Sequence, residues 1–392
     1  MTLDERLHPL AQALVRADGR EAAIGPGRWH VLFGGRQRTL LMPEGTYGFQ
    51  KRCLRFFLGD SARALYARAL LKANSLFPRS GLLPEFRLPR ARHGFAPFRL
   101  PVREPAHGAI QIGSAGPYQK ASVLLMSARG EEFALAKVAL ADSANQRVRA
   151  EAGWLRNLDG IPPLREHVPH LLAEGAAGNG RRYLVTTLAP GTRMTRSFTS
   201  GHRAFLGKLA RVHREPAKFP ASPCSSQLET MLAQLDAYVP RIGAETLHDA
   251  MRDCREMLRD WAGPFVVAQG DFAPWNIRMR DDRLFVFDWE YARRGANPLM
   301  DLYNFFVIQR ALSARPVSNG FLANVTRLAE ETARALYPEW KWRPRALSAL
   351  LLAYLLEVIL SYTHASGRLE RTHPVIASYW RLIERRRQWM AA

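Results

Sequence analysis

Three polar side chains between residues 267 and 290 have the types and spacing that a metal-assisted reaction of phosphates requires. In the stretch VAQGDFAPWNIRMRDDRLFVFDWE, Asp271 is followed by Asn276 and then by Asp288. When a hydroxyl attacks a terminal phosphate, one group must accept or orient its proton, and oxygen ligands must hold Mg²⁺ against the phosphates. A carboxylate, an amide and a second carboxylate are the right side-chain types for these three tasks.

The elements around these residues predict that they converge. FVVAQG predicts a short strand that ends at Asp271, and IRMRDDRLFVF predicts a hairpin whose return strand ends at Asp288. Two carboxylates brought close together repel each other, and a divalent cation is the simple way to satisfy both. An Asp with an Asn five residues later is a weak signal alone, so the strand context carries this interpretation.

Two features upstream are typical of a site for phosphates. Gly113 and Gly116 lie between two strand candidates in IGSAGPYQKASVLL, where backbone N–H groups can approach phosphate oxygens, although a two-glycine turn is more often only a hairpin. Lys137 lies in the middle of the apolar strand FALAKVAL. A buried ammonium needs an anionic partner, and Glu151 on the following helix is the natural candidate. The alternative is a lysine that reaches solvent from an edge strand.

The pattern along the chain predicts three segments. Residues 101–190 contain short apolar runs, Gly-bearing turns and one helix, which is typical of a small β-rich lobe, whereas residues 191–392 are mostly helical. Residues 77–105 are rich in Pro and Arg and predict a linker or a surface strap. We therefore predict a domain boundary near residue 100, with an N-terminal extension of unknown role over residues 1–100.

Composition favours a cytoplasmic globular protein with an anionic partner. The 392 residues include 47% hydrophobic residues, three cysteines without metal-ligand spacing, and no predicted secretion signal. The net charge is +21, and residues 1–100 carry 17 Lys/Arg against 7 Asp/Glu. This balance favours contact with an anionic membrane surface or glycan through the basic ends, although an Arg-rich composition alone would also explain it. The apolar run at residues 347–362 contains Glu357 and predicts a buried core helix.

From about residue 108 to residue 365, the chain resembles the aminoglycoside phosphotransferase and choline kinase-like family. GDFAPWN resembles the catalytic loop, FDWEYA the metal-binding segment, LGKLARVHR a family helix, and NPLMDLYNF the helix whose Asp301 braces the catalytic loop. Gln269 stands where the family usually has His, and we expect its amide to replace those hydrogen bonds. The glycine loop matches loosely. The resemblance implies an α+β, two-lobed protein-kinase-like fold with a small antiparallel-sheet N-lobe, a larger helical C-lobe and an extra N-terminal region.

The resemblance also implies cofactors and roles. ATP and Mg²⁺ are the implied cofactors, and the implied roles divide among catalysis, metal binding and nucleotide binding. Asp271 is the implied catalytic base, and Asn276 and Asp288 are the implied Mg²⁺ ligands. Lys137 is implied to hold the α/β-phosphates, with Glu151 positioning it. Gly113 and Gly116 are implied to form the phosphate loop, and Thr187 to Ala189 the hinge against adenine.

The expected function is ATP- and Mg²⁺-dependent transfer of a phosphoryl group to a hydroxyl of a small molecule or a glycan, such as a cell-envelope polysaccharide. A cationic antibiotic acceptor is disfavoured because the chain is strongly basic. The alternative is a catalytically silent nucleotide-binding protein with a regulatory or assembly role, and nucleic-acid binding is the least favoured. Near the metal segment, Glu290 is expected to pair with an Arg, and the alternative is contact with a metal-bound water or a substrate. Arg293 and Arg294 are expected to be exposed, and the alternative is that they face an anionic substrate. We expect a cytoplasmic protein, peripheral at a membrane.

Overall fold

A computed structural model of the chain describes residues 28–32, 39–58, 62–76, 83–87, 100, 107–177, 180–193, 197–235, 241–313 and 315–390. Contacts divide the chain into two compact units. Unit 1 consists of Met1–Asn157 with Pro169–Ala189, and unit 2 consists of Leu158–Val168 with Pro190–Ala392.

Unit 1 is built on an eight-stranded sheet in which neighbouring strands are antiparallel. The strand order is β3-β1-β2-β4-β5-β6-β8-β7. The strands are β1 (Arg28–Leu32), β2 (Thr39–Pro43), β3 (Glu85–Arg87), β4 (His107–Ile112), β5 (Lys120–Met126), β6 (Glu132–Ala139), β7 (Leu171–Ala176) and β8 (Arg182–Thr187).

Both faces of this sheet carry apolar residues. Alternate residues of each strand point to opposite sides, so each strand contributes to both faces. On one face, Leu124 and Met126 of β5 pack with Leu54 and Leu71, which belong to helices α1 (Tyr47–Leu58) and α2 (Ala62–Leu76). On the other face, Val123 and Leu125 belong to a second apolar cluster. A strand covered on both faces reads as a continuous apolar run, as TLLMP of β2 does.

The sheet extends across the boundary predicted near residue 100. β2 pairs with β4, for example through Leu41 opposite Ile110, and β1 pairs with β2. The described residues before 100 therefore belong to the same compact unit as β4, and the predicted boundary does not separate two units. Most of the predicted Pro/Arg-rich strap lies outside the described residues.

Helix α3 (Asp142–Asp159) follows β6. Its residues Ala144, Val148 and Ala152 recur four apart, so they share one face, and they pack against Ala139 and Leu184 of the sheet. This packing orients the helix face that carries Glu151.

Unit 2 is mainly helical and contains two small antiparallel sheets, β10-β11-β14 and β13-β12-β9. The strands are β9 (Thr192–Arg193), β10 (Arg214–Lys218), β11 (Ala262–Ala268), β12 (Ile277–Arg280), β13 (Arg283–Val286) and β14 (Arg293–Ala296). The helices are α4 (Pro162–Arg165), α5 (Ser200–Ala210), α6 (Pro223–Ala233), α7 (Arg241–Met257), α8 (Met300–Leu312), α9 (Asn319–Leu336), α10 (Pro344–Ser366), α11 (Pro374–Glu384) and α12 (Arg386–Met390).

Helix α10 is the core helix of unit 2. Among the described residues it is the one helix with the length and hydropathy to cross a membrane, but 83% of its apolar window is buried inside the fold. The prediction of a buried core helix is therefore confirmed. Glu357 lies within this buried helix and forms an ion pair with Arg293. A buried carboxylate requires such a partner because desolvation of an unpaired charge costs several kcal/mol.

Candidate active site

Asp271 follows β11 after a tight turn. β11 is buried over most of its length and ends at Ala268, and Gln269 and Gly270 lead into Asp271. Gly270 has φ of +85°, and a Cβ at this position would lie 2.4 Å from the carbonyl oxygen of Tyr291. Only glycine fits here without displacing backbone, so the turn that aims Asp271 depends on it.

Asp271 and Asn276 are joined directly. The chain between them ends in a short 3₁₀ turn, Pro274–Asn276. The Asn276 amide nitrogen donates to Oδ2 of Asp271 at 2.8 Å and to its backbone oxygen at 2.9 Å. The structure therefore brings together the first two predicted residues, and both bonds use Nδ2 of Asn276 rather than Oδ1.

Asp288 is placed beside this pair by the predicted hairpin of β12 and β13. Its backbone is left-handed, with φ 68° and ψ 60°, a conformation that costs a non-glycine residue about 1 kcal/mol or more. Gln269 supports this backbone, because its Nε2 donates to the Asp288 oxygen at 2.6 Å while its Oε1 accepts from Asp271 N at 2.9 Å. Gln269 thus makes the structural bonds expected at its position.

The environment of Asp271 disfavours its charged form. Burial raises the pKa of Asp271 to about 7, and the nearby carboxylates of Asp288 and Glu290 add to the rise. Hydrogen bonds from Asn276 and Asn304 act in the opposite direction. A carboxylate with a pKa close to neutrality is well matched to proton transfer at physiological pH.

Asp301 braces the loop that carries Asp271. It lies in the first turn of α8, and its two carboxylate oxygens accept from the backbone N–H groups of Gln269 at 2.8 Å and Gly270 at 2.9 Å. The bracing role expected of Asp301 is therefore present in the structure. Burial raises the pKa of Asp301 to about 6, although these two hydrogen bonds favour its ionised form.

Replacing Asp301 with asparagine is expected to lower both the free energy of unfolding and kcat. An amide keeps one acceptor oxygen but presents a donor to the second backbone N–H, and an unsatisfied buried N–H costs about 1–3 kcal/mol. Urea unfolding and steady-state kinetics measure the two effects. Asp282→Asn, in the exposed hairpin turn, is the matched control and should change neither. Equal stability of the two variants would contradict the bracing role.

Asn304 is a site residue that the sequence analysis missed. It hydrogen-bonds to Asp271 and accepts from the Tyr354 hydroxyl at 2.9 Å, and the Tyr379 hydroxyl lies 2.6 Å from that of Tyr354. The available signal was its spacing from Asp301. Residues three apart lie on the same side of a helix, so the face that braces the loop also contacts the Asp271 carboxylate.

Two charged residues that follow Asp288, Glu290 and Arg293, are largely buried. One carboxylate oxygen of Glu290 lies within 4.8 Å of one of Asp288. The pairing of Glu290 with an Arg stays a prediction. The expectation that Arg293 is exposed is wrong: β14 pairs with β11, and the Arg293 side chain is largely buried against Glu357. Arg294 is exposed as expected.

In unit 1, the predicted ion pair between Lys137 and Glu151 is present. Lys137 Nζ lies 2.5 Å from Glu151 Oε1, and the side chains are 10% and 2% exposed. The alternative, a lysine that reaches solvent from an edge strand, is excluded because β6 lies between β5 and β8.

The remaining predicted residues of unit 1 lie in the turn between β4 and β5 and at the end of β8. Gly113 N donates to the Lys120 oxygen at 2.8 Å, which closes the turn between β4 and β5, and a Cβ at Gly116 would meet nothing within 4 Å. Thr187 ends β8, where its Oγ1 accepts from His170 N at 3.0 Å, and Ala189 is the last residue of unit 1. Their roles in binding nucleotide remain predictions.

A comparison with protein-family profiles decides the family. The profile described as a phosphotransferase enzyme family, APH, matches residues 120–346, which is more than half of the chain. The chain belongs to this family. It is therefore a kinase-like phosphotransferase whose acceptor is a hydroxyl group.

A solved structure of an aminoglycoside phosphotransferase shares the fold at low identity. A thermostable mutant of aminoglycoside phosphotransferase APH(4)-Ia is 15% identical with a TM-score of 0.50, and the match covers 71% of this chain and 94% of that chain. A putative aminoglycoside phosphotransferase from Ralstonia eutropha is 12% identical with a TM-score of 0.45, over 73% of this chain and 95% of that chain. No curated protein matches. The predicted kinase-like fold, with an antiparallel N-terminal sheet and a helical C-terminal part, is confirmed.

Proposed function

We propose that this phosphotransferase moves the γ-phosphoryl group of ATP, with Mg²⁺, to a hydroxyl of a small molecule or glycan, with Asp271 as the catalytic base. The observation that carries the proposal is the arrangement in unit 2, where Asn276 holds the Asp271 carboxylate beside Asp288. Family membership supports the reaction class.

The proposed roles of the site residues follow from their side-chain chemistry. Asp271 orients the acceptor hydroxyl and takes its proton, and its raised pKa keeps it basic enough for that transfer near pH 7. Asn276 fixes the rotamer of this carboxylate, and Gln269 fixes its backbone. In unit 1, Glu151 holds the Lys137 ammonium, which supplies a fixed positive charge for the α/β-phosphates.

The donor atoms of unit 2 fit Mg²⁺. Hard cations prefer oxygen ligands, and Asp288 supplies a carboxylate. Both hydrogen bonds from Asn276 to Asp271 use its amide nitrogen, and its Oδ1 would be the second oxygen ligand. A bound Mg²⁺ would neutralise phosphate charge, and it would also offset the repulsion between Asp288 and its acidic neighbour Glu290.

Replacing Asp288 with asparagine is expected to weaken Mg²⁺-dependent ATP binding by about tenfold or more, because one negative ligand is lost. ATP binding without Mg²⁺ should change little. Calorimetric titration with ATP, with and without Mg²⁺, separates the two. Asp281→Asn, in the exposed hairpin turn nearby, is the control that should bind as the wild type does. An unchanged gain in affinity from Mg²⁺ in Asp288→Asn would remove Asp288 from the metal site.

The acceptor is proposed from the charge of the protein. The chain has a net charge of +21, which disfavours a polycationic aminoglycoside and favours an anionic or neutral acceptor, such as a sugar of a cell-envelope polysaccharide. Purified protein with labelled ATP and a panel of sugars, amino alcohols, envelope glycans and aminoglycosides tests this. We expect transfer to a sugar or glycan hydroxyl, and fast transfer to aminoglycosides alone would overturn the choice of acceptor.

A catalytically silent, nucleotide-binding regulator remains the second candidate from the sequence. Loss of the lysine, the catalytic carboxylate or the metal carboxylate would favour it, whereas Lys137, Asp271 and Asp288 are all retained. ATP turnover that depends on Asp271 distinguishes the two functions.

A further inference from the structure

In the described part of unit 1, the sheet packs against one side of helices α1 and α2, and residues on their other side are exposed. Their inner residues, such as Leu54 of α1 and Leu71 of α2, pack on the same face of the sheet. Because both helices lie on that face, residues on their opposite sides point away from the sheet. We call this outward side of Tyr47–Leu58 and Ala62–Leu76 the α1–α2 surface.

The α1–α2 surface is unusually apolar for an exposed helix face. Leu65, Tyr66 and Leu76 are 61%, 61% and 66% exposed, whereas the other exposed large hydrophobic side chains among the described residues, Trp275, Leu312 and Tyr362, are 40–49% exposed. Leu65, Ala69 and Leu76 follow a helical spacing of four and seven residues, so they form one stripe on α2. A stripe of exposed apolar residues is typical of a surface that contacts another apolar phase.

The same surface carries charge of one sign. Lys51 and Arg55 are exposed on α1, and Lys72 is exposed within the apolar stripe of α2. Neither helix contains an Asp or a Glu. Exposed helices usually intersperse both signs, so an uninterrupted cationic face beside exposed Leu and Tyr indicates a partner that is anionic at its surface and apolar beneath.

We propose that the α1–α2 surface docks on an anionic phospholipid bilayer. The cations lie at the depth of the phosphate headgroups while Leu65 and Leu76 enter the boundary of the acyl chains. A nucleic acid or a soluble polyanion would use the cations but offers nothing to the apolar stripe. This inference concerns unit 1 alone and stands whether or not the proposed reaction is correct.

Vesicle sedimentation with the full chain tests the proposal. The probes are vesicles of phosphatidylcholine containing phosphatidylglycerol and vesicles of phosphatidylcholine alone. We expect the protein to sediment with the first and much less with the second, and the binding to weaken as ionic strength rises, because headgroup attraction is screened within a Debye length.

A charge variant and its control test whether vesicle binding depends on the cations of the α1–α2 surface or on the positive charge of the whole protein. The variant Lys51→Gln, Arg55→Gln and Lys72→Gln removes three exposed cations. Each contributes roughly fivefold to partitioning, so binding should fall by at least about tenfold. The control removes the same charge from exposed positions of unit 2, at Lys341, Arg343 and Arg345, each changed to Gln. It should bind within about twofold of the wild type.

An apolar variant tests whether the partner is a lipid bilayer or a soluble polyanion. Leu65→Ser with Leu76→Ser should reduce vesicle binding, including at high ionic strength, and leave thermal unfolding unchanged because both side chains are exposed. Three results would overturn the proposal: equal binding to both vesicle types, equal losses in the charge variant and its control, or unchanged vesicle binding of the apolar variant. If the charge variant instead lost binding to a short duplex DNA alone, the partner would be nucleic acid.

Discussion

Replacing Asp271 with asparagine is expected to lower kcat by roughly 10²–10⁴-fold, the usual contribution of a positioned general base. The affinity for ATP should change little, because the roles proposed for binding nucleotide and metal belong to Lys137, Asn276 and Asp288. Single-turnover kinetics with saturating acceptor, together with a direct ATP titration, measure the two quantities separately.

The same substitution should stabilise the protein above pH 7. The folded pKa of Asp271 is raised from 3.8 to about 7, so ionisation is disfavoured in the folded state and the free energy of unfolding falls as pH rises through this window. Asparagine removes that loss, and we expect a gain of roughly 1–2 kcal/mol at pH 8 that is absent near pH 4. Urea unfolding at the two pH values measures it.

The control for both effects is Asp260→Asn, whose side chain is 89% exposed and should alter neither kcat nor stability. An Asp271→Asn enzyme with nearly wild-type kcat would show that another group handles the proton. A silent regulator would show no Asp271-dependent turnover in either protein.

Replacing Lys137 with methionine is expected to destabilise the protein by about 3–5 kcal/mol, because it leaves the Glu151 carboxylate buried without its cation. ATP binding should weaken as well, since the fixed positive charge for the phosphates is lost. Urea unfolding and ATP titration measure the two losses, and adding Glu151→Leu should recover much of the stability but none of the binding.

An exposed pair in the same unit provides the matched control. Arg156 and Glu174 form an ion pair whose side chains are 57% and 33% exposed, so Arg156→Met should cost less than about 1 kcal/mol. If Lys137→Met and Arg156→Met lowered the free energy of unfolding equally, burial would not determine how much the Lys137–Glu151 pair contributes to stability.

Much of the site was predictable because short segments of the sequence determine it. Strands that lead into Asp271 and Asp288 follow from apolar runs. A buried cation that needs an anion on the next element follows from the cost of burying charge. Gln269 and Asp301 were expected to support the catalytic loop, and their hydrogen bonds show how they do so.

The parts that could not be predicted depend on contacts between distant segments. Pairing of β2 with β4 joins residues about seventy positions apart, and no local pattern specifies such a register. The prediction that Arg293 is exposed was wrong for a similar reason. Its partner Glu357 lies sixty-four residues later, on α10. Asn304 contacts Asp271 only once α8 is packed against the catalytic loop.

The extended sheet has a consequence for any recombinant fragment of this protein. A chain trimmed to the family match would begin at residue 120, without β1, β2 and β4 and without the helices that cover Leu124 and Met126. β5 would then present a row of unsatisfied backbone groups next to a bare apolar face, the combination that leads to edge-to-edge aggregation. Insolubility of such a fragment would reflect a missing half-sheet rather than an unstable catalytic region.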